Sequence, residues 1–333
     1  MAAQSSAVWQ RGRVVEARDV ARDIRRIVIA PERPVKAAAG THVDVAVVID
    51  GQQDVRSYSI VEADDGGARL ALSVFRTPAS RGGSVFMHTL EPGAEVELTQ
   101  PMQNFPLRVG ARRYVVLAGG IGVTAVLGMA RILARTGADY RFVYAGRSRG
   151  AMAYLDDLVA EHGDRLEVHV DDEGSSLDVP TLLGGLDLDT ELYMCGPIRL
   201  MDSVRRTWQD LELALPNLRY ETFGNSGWFD PEEFVVRIPR LGIETVVPKG
   251  RSMLEALEGA GADMMSDCRK GECGLCEVRV LGLEGSIDHR DVFYSDRQQH
   301  ASEKMCCCVS RAITPKEAVT AGAGPAVVTI EVS

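Results

Sequence analysis

Cys268-Arg269-Lys270-Gly271-Glu272-Cys273-Gly274-Leu275-Cys276 is the stretch on which the fold of this chain turns. Three cysteines stand at C-x4-C-x2-C spacing, and a run of three more, Cys306, Cys307 and Cys308, follows about thirty positions later. Three thiolates from one short loop and a fourth from a distant segment is the plant-type [2Fe–2S] pattern. Gly271 and Gly274 let the loop curl without a Cβ clash. A zinc knuckle would present two separated pairs of ligands, and a Rieske centre would need histidines just after cysteines; neither pattern is present. Spacing alone leaves the fourth ligand open among the three consecutive cysteines.

Working outward, the 333-residue chain has room for two or three domains. Its formal net charge of −10 argues against a nucleic-acid partner or an anionic lipid surface. The first residues carry no apolar signal segment, so a cytoplasmic location and reduced thiols are expected rather than secretion and disulfides. The charge-free run Tyr114 to Ala130 holds four glycines, Gly119, Gly120, Gly122 and Gly128, and reads as strand, turn and helix rather than as a membrane span.

The first hundred residues alternate in the manner of short strands, at Arg25–Ala30, His42–Ile49, Arg56–Ile60, Leu70–Phe75 and Glu95–Leu98, which predicts an antiparallel barrel. From Tyr114 the rhythm changes. Continuous apolar runs at Tyr114–Ala118, Phe142–Ala145, Leu166–Val170 and Leu192–Met194 alternate with helical periods, as in a parallel sheet with crossover helices. One helix opens with Pro197 at its first position and sets Ile198, Met201, Val204, Trp208 and Leu211 on one face. Gly224-Asn225-Ser226-Gly227 reads as a linker, followed by a hairpin at Glu233–Ile238 and Ile243–Val247, a short helix at Met253–Gly259, and strands at Glu277–Leu281 and Val327–Val332.

Leu117-Ala118-Gly119-Gly120-Ile121-Gly122-Val123-Thr124 places glycines between a strand and a helix, where a pyrophosphate meets free N–H groups, with Thr124 as the expected N-cap. Cys195-Gly196-Pro197 follows a later strand, at the edge where parallel sheets bind ligands, although a lone cysteine is more often plain core. Arg56-Ser57-Tyr58-Ser59 combines a cation, an aromatic ring and two hydroxyls, and Arg81-Gly82-Gly83-Ser84 adds a loop of phosphate-binding character. Gly146-Arg147-Ser148-Arg149-Gly150 matches a hydrolase nucleophile elbow, but two flanking arginines suit an adenosine ribose or phosphate better.

In this order the motifs resemble the phthalate dioxygenase reductase family, which includes vanillate demethylase reductases and is similar to ferredoxin–NADP reductases with a fused plant-type ferredoxin. Asn104-Phe105-Pro106-Leu107, Phe223-Gly224, Asp288-His289-Arg290-Asp291 and Cys308-Val309-Ser310-Arg311 extend the match over nearly the whole chain. The resemblance implies an FMN-binding Greek-key β-barrel over 1–108, an α/β parallel-sheet NAD domain over 109–224 and a β-grasp [2Fe–2S] ferredoxin domain over 225–333. It implies that Arg56 meets the FMN phosphate, Ser57 belongs to the same flavin-binding run, Tyr58 stacks on the flavin and Ser59 lies near its N5. Arg81, Gly82, Gly83 and Ser84 would support the phosphate, which favours FMN over FAD. Gly120, Gly122 and Thr124 would face the NADH pyrophosphate, with Arg147 toward the adenosine. Cys195 would lie near the nicotinamide and Phe223 near the flavin ring; Ser59 and Cys195 would be the catalytic pair. Cys308, before Val-Ser-Arg, becomes the preferred fourth ligand beside Cys268, Cys273 and Cys276. Ala125 stands where the family has proline, and three cysteines in a row are a second departure.

The expected activity is an NADH-dependent reductase, monomeric, that feeds the separate oxygenase of a two-component Rieske-type aromatic oxygenase or demethylase. Hydride leaves NADH as an electron pair and an iron–sulfur cluster accepts single electrons, so a flavin must stand between them. A plant-type cluster lies at least about 250 mV below a Rieske centre, roughly 6 kcal/mol per electron downhill. The alternatives are a di-iron monooxygenase or a cytochrome as acceptor, or a non-enzymatic iron–sulfur sensor or electron-storage protein.

Overall fold

The computed structural model describes residues 7–49, 51–64, 66–78, 80, 82–223, 231–315 and 324–332. The chain forms two compact units, Met1–Glu221 and Thr222–Ser333.

The first unit begins with strands β1 (Trp9–Ala21), β2 (Ile24–Pro31), β3 (Thr41–Ile49), β4 (Gln52–Ala63) and β5 (Leu70–Phe75), helix α1 (Gly83–Thr89), and strands β6 (Glu95–Thr99) and β7 (Met102–Gln103). The sheet order β4-β5-β2-β1-β6-β3 closes because β3 also pairs with β4, giving a six-stranded antiparallel barrel with β7 added at the side of β3. Closure removes exposed sheet edges. Alternate positions face inward, so Val14, Ile27, Ile29, Val43, Val45, Val47, Leu70, Leu72 and Leu98 form one buried core. The loop expected at 81–84 is instead the start of α1, with Gly82 as its N-cap.

The same unit continues as β8 (Arg113–Gly119), α2 (Val123–Arg135), β9 (Tyr140–Gly146), α3 (Leu155–His162), β10 (Leu166–Val170), α4 (Val179–Gly184), β11 (Thr190–Cys195), α5 (Ile198–Asp210) and β12 (Leu218–Glu221). These five strands run parallel in the order β10-β9-β8-β11-β12. Val115, Val116 and Leu117 of the central β8 are fully buried, as a strand covered on both faces requires. Along α5 the residues Ile198, Met201, Val204 and Trp208 are buried, but Leu211 lies past the helix end and is exposed. Pro197 precedes the helix as its N-cap instead of occupying its first turn.

The second unit comprises β13 (Phe234–Ile238), β14 (Ile243–Val247), α6 (Met253–Gly259), β15 (Glu277–Glu284), β16 (Ser286–Asp288), α7 (Asp296–Ala301), β17 (Lys304–Cys306), β18 (Arg311–Ile313) and β19 (Val327–Glu331). Its five-stranded sheet has the order β14-β13-β19-β15-β17, in which β13 and β19 are parallel, and α6 packs on it through Met253, Leu254 and Leu257. A capping box starts α6: Glu255 N donates to Ser252 Oγ (3.2 Å) and Ser252 N donates back to Glu255 Oε2 (2.6 Å). The expected linker Gly224–Gly227 lies outside the described residues.

Candidate flavin, nucleotide and iron–sulfur sites

In the first unit, β4 carries Arg56, Ser57, Tyr58 and Ser59, and its pleat sends alternate side chains to opposite faces. The four do not share one surface. The Arg56 guanidinium pairs with Asp54 (2.7 Å), and its stem lies across Gly83, where a Cβ would come within 2.8 Å of Arg56 Cγ. A cation and the first turn of α1 are thereby held side by side, beside Ser84, whose hydroxyl donates to Ser80 Oγ (2.8 Å). Ser57 is exposed and donates to Asp44 Oδ1 (2.5 Å). Tyr58 packs against the barrel core, and burial pushes its hydroxyl well above the usual phenol range, so it stays protonated. Arg81 lies outside the described residues.

Ser59 faces a different neighbour. Its hydroxyl donates to Glu221 Oε2 (3.3 Å), and both side chains are buried. Glu221 ends β12 in register with Cys195 at the end of β11, and Cys195 in turn pairs with Ala118, one residue before the end of β8. Ser59 is thus bonded to a carboxylate that lies in register with Cys195 at the carboxyl edge of the parallel sheet. Sequence reading missed Glu221; its only signal was an acidic residue closing a short strand just before Phe223.

The glycine turn after β8 meets the turn after β11 backbone to backbone. A Cβ at Gly122 would stand 2.1 Å from the Cys195 carbonyl oxygen, and one at Gly119 would stand 2.7 Å from Pro197 Cδ. Only glycine allows that approach. Thr124 is not the N-cap: a short 3-10 turn over Gly120–Gly122 runs directly into α2, and Thr124 Oγ1 donates to Ile121 O (2.9 Å). Cys195 is fully buried, and Arg147 is exposed beyond the end of β9. Ser148 sits in extended backbone, not at a tight elbow, and its neighbour Arg149 pairs with Glu173, so the hydrolase reading has no support from the local geometry.

The cysteine loop dominates the second unit. Gly271 and Gly274 both adopt positive φ, and a Cβ at Gly274 would strike the Phe293 ring at 2.3 Å. Curled in this way, the backbone turns the N–H groups of Lys270, Glu272 and Cys273 onto Cys268 Sγ, each at 3.4 Å. Burial raises the Cys268 thiol, and these three donors act against it. The Cys276 sulfur lies against the thiols of Cys306, Cys307 and Cys308, which hold it far below the ordinary thiol range; bonding to that thiolate, and then burial, push the other three up. Cys308 also faces Cys268 and the Gly271 N–H. Cys306 has Asp291 among its neighbours instead. Among the described residues no three such side chains converge on one metal position, and a binuclear cluster asks only two thiolates of each iron. The donor set and the curled loop fit a [2Fe–2S] cluster.

The remaining motifs brace this loop. Val292 N donates to Gly271 O (3.0 Å), Asp291 accepts from Ser310 Oγ (3.1 Å) and Tyr294 N (3.0 Å), and Arg290 forms a buried pair with Asp288 (2.6 Å). Arg311 donates to the carbonyls of Arg251 (2.6 Å), Glu232 (2.8 Å) and Pro248 (2.9 Å). Thr222 holds the loop from its other side, through Glu272 and the Lys270 carbonyl. Phe223, next along, is half-buried.

Comparison with known proteins agrees with this geometry. Residues 11–106 match the oxidoreductase FAD-binding domain, and residues 236–312 match the 2Fe-2S iron-sulfur cluster binding domain. A flavoprotein oxidoreductase with its own [2Fe–2S] domain is the class so defined. The chain is 32% identical to the carnitine monooxygenase reductase subunit of Acinetobacter pittii, over 83% of this chain and 89% of that one. It is 33% identical to the vanillate O-demethylase oxidoreductase of Pseudomonas putida, over 91% and 96%. Among solved structures it superposes on phthalate dioxygenase reductase, a modular structure for electron transfer from pyridine nucleotides to [2Fe–2S], with a TM-score of 0.72, 29% identity and coverage of 96% and 98%. The chain belongs to the phthalate dioxygenase reductase family.

Proposed function

We propose that this chain is the NADH-dependent reductase of a two-component oxygenase, carrying electrons from NADH through FMN to its [2Fe–2S] cluster and on to a separate Rieske-type partner. The observation that carries the reading is the bond from Ser59 of the barrel to Glu221, a buried carboxylate at the carboxyl edge of the parallel sheet, in register with Cys195 on the next strand. A nicotinamide arriving at the carboxyl edge of β11 would there meet the flavin held by the barrel. When bound, the flavin supplies the conversion of an electron pair into single electrons.

The chain's own groups divide the remaining work. Arg56, with Arg81, Gly82, Gly83 and Ser84, holds the terminal phosphate of FMN; Tyr58 lines the flavin, Ser57 steadies the same run of β4 through its bond to Asp44, and Ser59 orients the flavin N5 edge. Gly120, Gly122 and Thr124 seat the pyrophosphate of NADH at the start of α2, Arg147 receives the adenosine end, Cys195 bounds the nicotinamide, and Phe223 covers the flavin ring. Cys268, Cys273, Cys276 and Cys308 ligate the cluster. We place the domain limits at 1–108, 109–224 and 225–333, and read the protein as a cytoplasmic monomer; none of its seven cysteines is paired in a disulfide, which suits a reducing compartment.

The purified holoprotein should show flavin and [2Fe–2S] absorption, release FMN on denaturation, and bleach under anaerobic NADH. Copurification from the native cell should bring a Rieske oxygenase with it. Absence of flavin bands together with indifference to NADH would leave an iron–sulfur sensor as the better account, and recovery of a di-iron protein or a cytochrome would change the acceptor.

A further inference from the structure

In a parallel sheet whose central strand ends in a pyrophosphate-binding glycine turn, the adenosine ribose falls at the carboxyl end of the next strand out. There an acidic side chain reads a free 2′-hydroxyl, and an arginine accepts a 2′-phosphate. Here that strand is β9, and Arg147 and Arg149 follow it. By residue type alone the pair would suit NADPH.

The structure gives Arg149 another partner. Its Nε and Nη2 donate to the two carboxylate oxygens of Glu173 at 2.7 and 2.9 Å, using the planar fork that a phosphate would need. Glu173 closes a short turn, Asp171–Glu173, at the carboxyl end of β10, the outer neighbour of β9. Asp172 N donates to Arg147 O (3.0 Å), tying the two loops together, while the charges of Asp156 and Asp172 also bear on Arg149. A dianionic 2′-phosphate would have to displace one carboxylate and lie beside others. Arg147 is exposed and is left for the adenine and ribose, which both nucleotides share.

We propose that Glu173 is a positioning residue for nucleotide selection, holding Arg149 away from a 2′-phosphate so that the site takes NADH and rejects NADPH. The proposal rests on the reading that this edge binds a nicotinamide nucleotide. As an exposed pair, Arg149 and Glu173 add little stability, so a variant should keep the fold.

The test is kcat/KM of the holoprotein for NADH and NADPH, with ferricyanide as acceptor. Glu173→Gln should raise the NADPH value by about tenfold through KM, the scale of one charge-assisted contact, and leave NADH within about twofold. Glu173→Asp should restore part of the discrimination, and adding Arg149→Gln to Glu173→Gln should abolish the gain. An unchanged NADPH to NADH ratio in Glu173→Gln, a gain that survives removal of Arg149, or a wild type that prefers NADPH would overturn the proposal. Calorimetric binding of 2′,5′-ADP against ADP reads the same selection without turnover. Tighter 2′,5′-ADP in Glu173→Gln with no reduction by either nucleotide would sink the parent reading and keep this one; unchanged binding would sink this one.

Discussion

Cys308 has Cys268 and the Gly271 N–H among the neighbours that act on its thiol, which places it beside the curl of the loop. Cys308→Ser should therefore abolish the cluster, read as iron content and visible absorption, while Cys306→Ser should retain both. The opposite iron contents would move the ligand to Cys306. Spacing could not decide this point, because consecutive residues differ only in the direction their side chains take, and that direction is set by the pairing of Glu277 with Cys306. Glu221 carried only a faint signal in the sequence for a similar reason. Its partner Ser59 is 162 positions away, and only the fold brings the two within 3.3 Å.

Among the elements, those with a regular pattern were legible and those with a broken one were not. The strands from β2 to β6 and the core of the parallel sheet announced themselves by period-two alternation or by apolar runs. The thirteen-residue β1 did not, since a register shift between Val14 and Glu16 breaks its alternation and its second half is charged. The short edge strand β12, Leu-Arg-Tyr-Glu, has no apolar run to read. The turn from β8 into α2 was correctly placed, but its cap was not: Gly122, held against the Cys195 carbonyl, takes the position expected of Thr124. Because backbone stands in the way, Gly122→Ala should cost about 1–3 kcal/mol of stability, in line with overpacking of a tight core. It should weaken NADH binding as well, measured by thermal unfolding and by KM. A variant of wild-type stability and KM would show that the close approach of the two turns is dispensable.

At the scale of the whole molecule, the two units offer separate handles on stability. In the first, His162 is buried with its ring edge-on to Tyr140 and Phe142 and bonded to the Tyr140 hydroxyl (2.7 Å), and burial pulls its pKa below the ordinary 6.5. An unfolded chain takes up this proton at a higher pH than the folded one. The first unit should accordingly lose stability as pH falls below about 6.5, and the loss should flatten in His162→Gln, as followed by scanning calorimetry of the full chain. A pH slope identical in the variant would assign the loss to other groups. No described helix is long and apolar enough to cross a membrane, in keeping with the reading of Tyr114–Ala130 as strand, turn and helix. The amino-acid sequence by itself determined the cluster type, the barrel followed by a parallel sheet, and the glycine turns, because thiolate spacing, hydrophobic period and the lack of a Cβ are local properties. Only the tertiary structure decided which cysteine of three turns toward Cys268, that Ser59 bonds a carboxylate at the end of β12, and that Arg149 is already occupied by Glu173. Those are long-range pairings, fixed by strand register and packing rather than by any residue's neighbours in the chain.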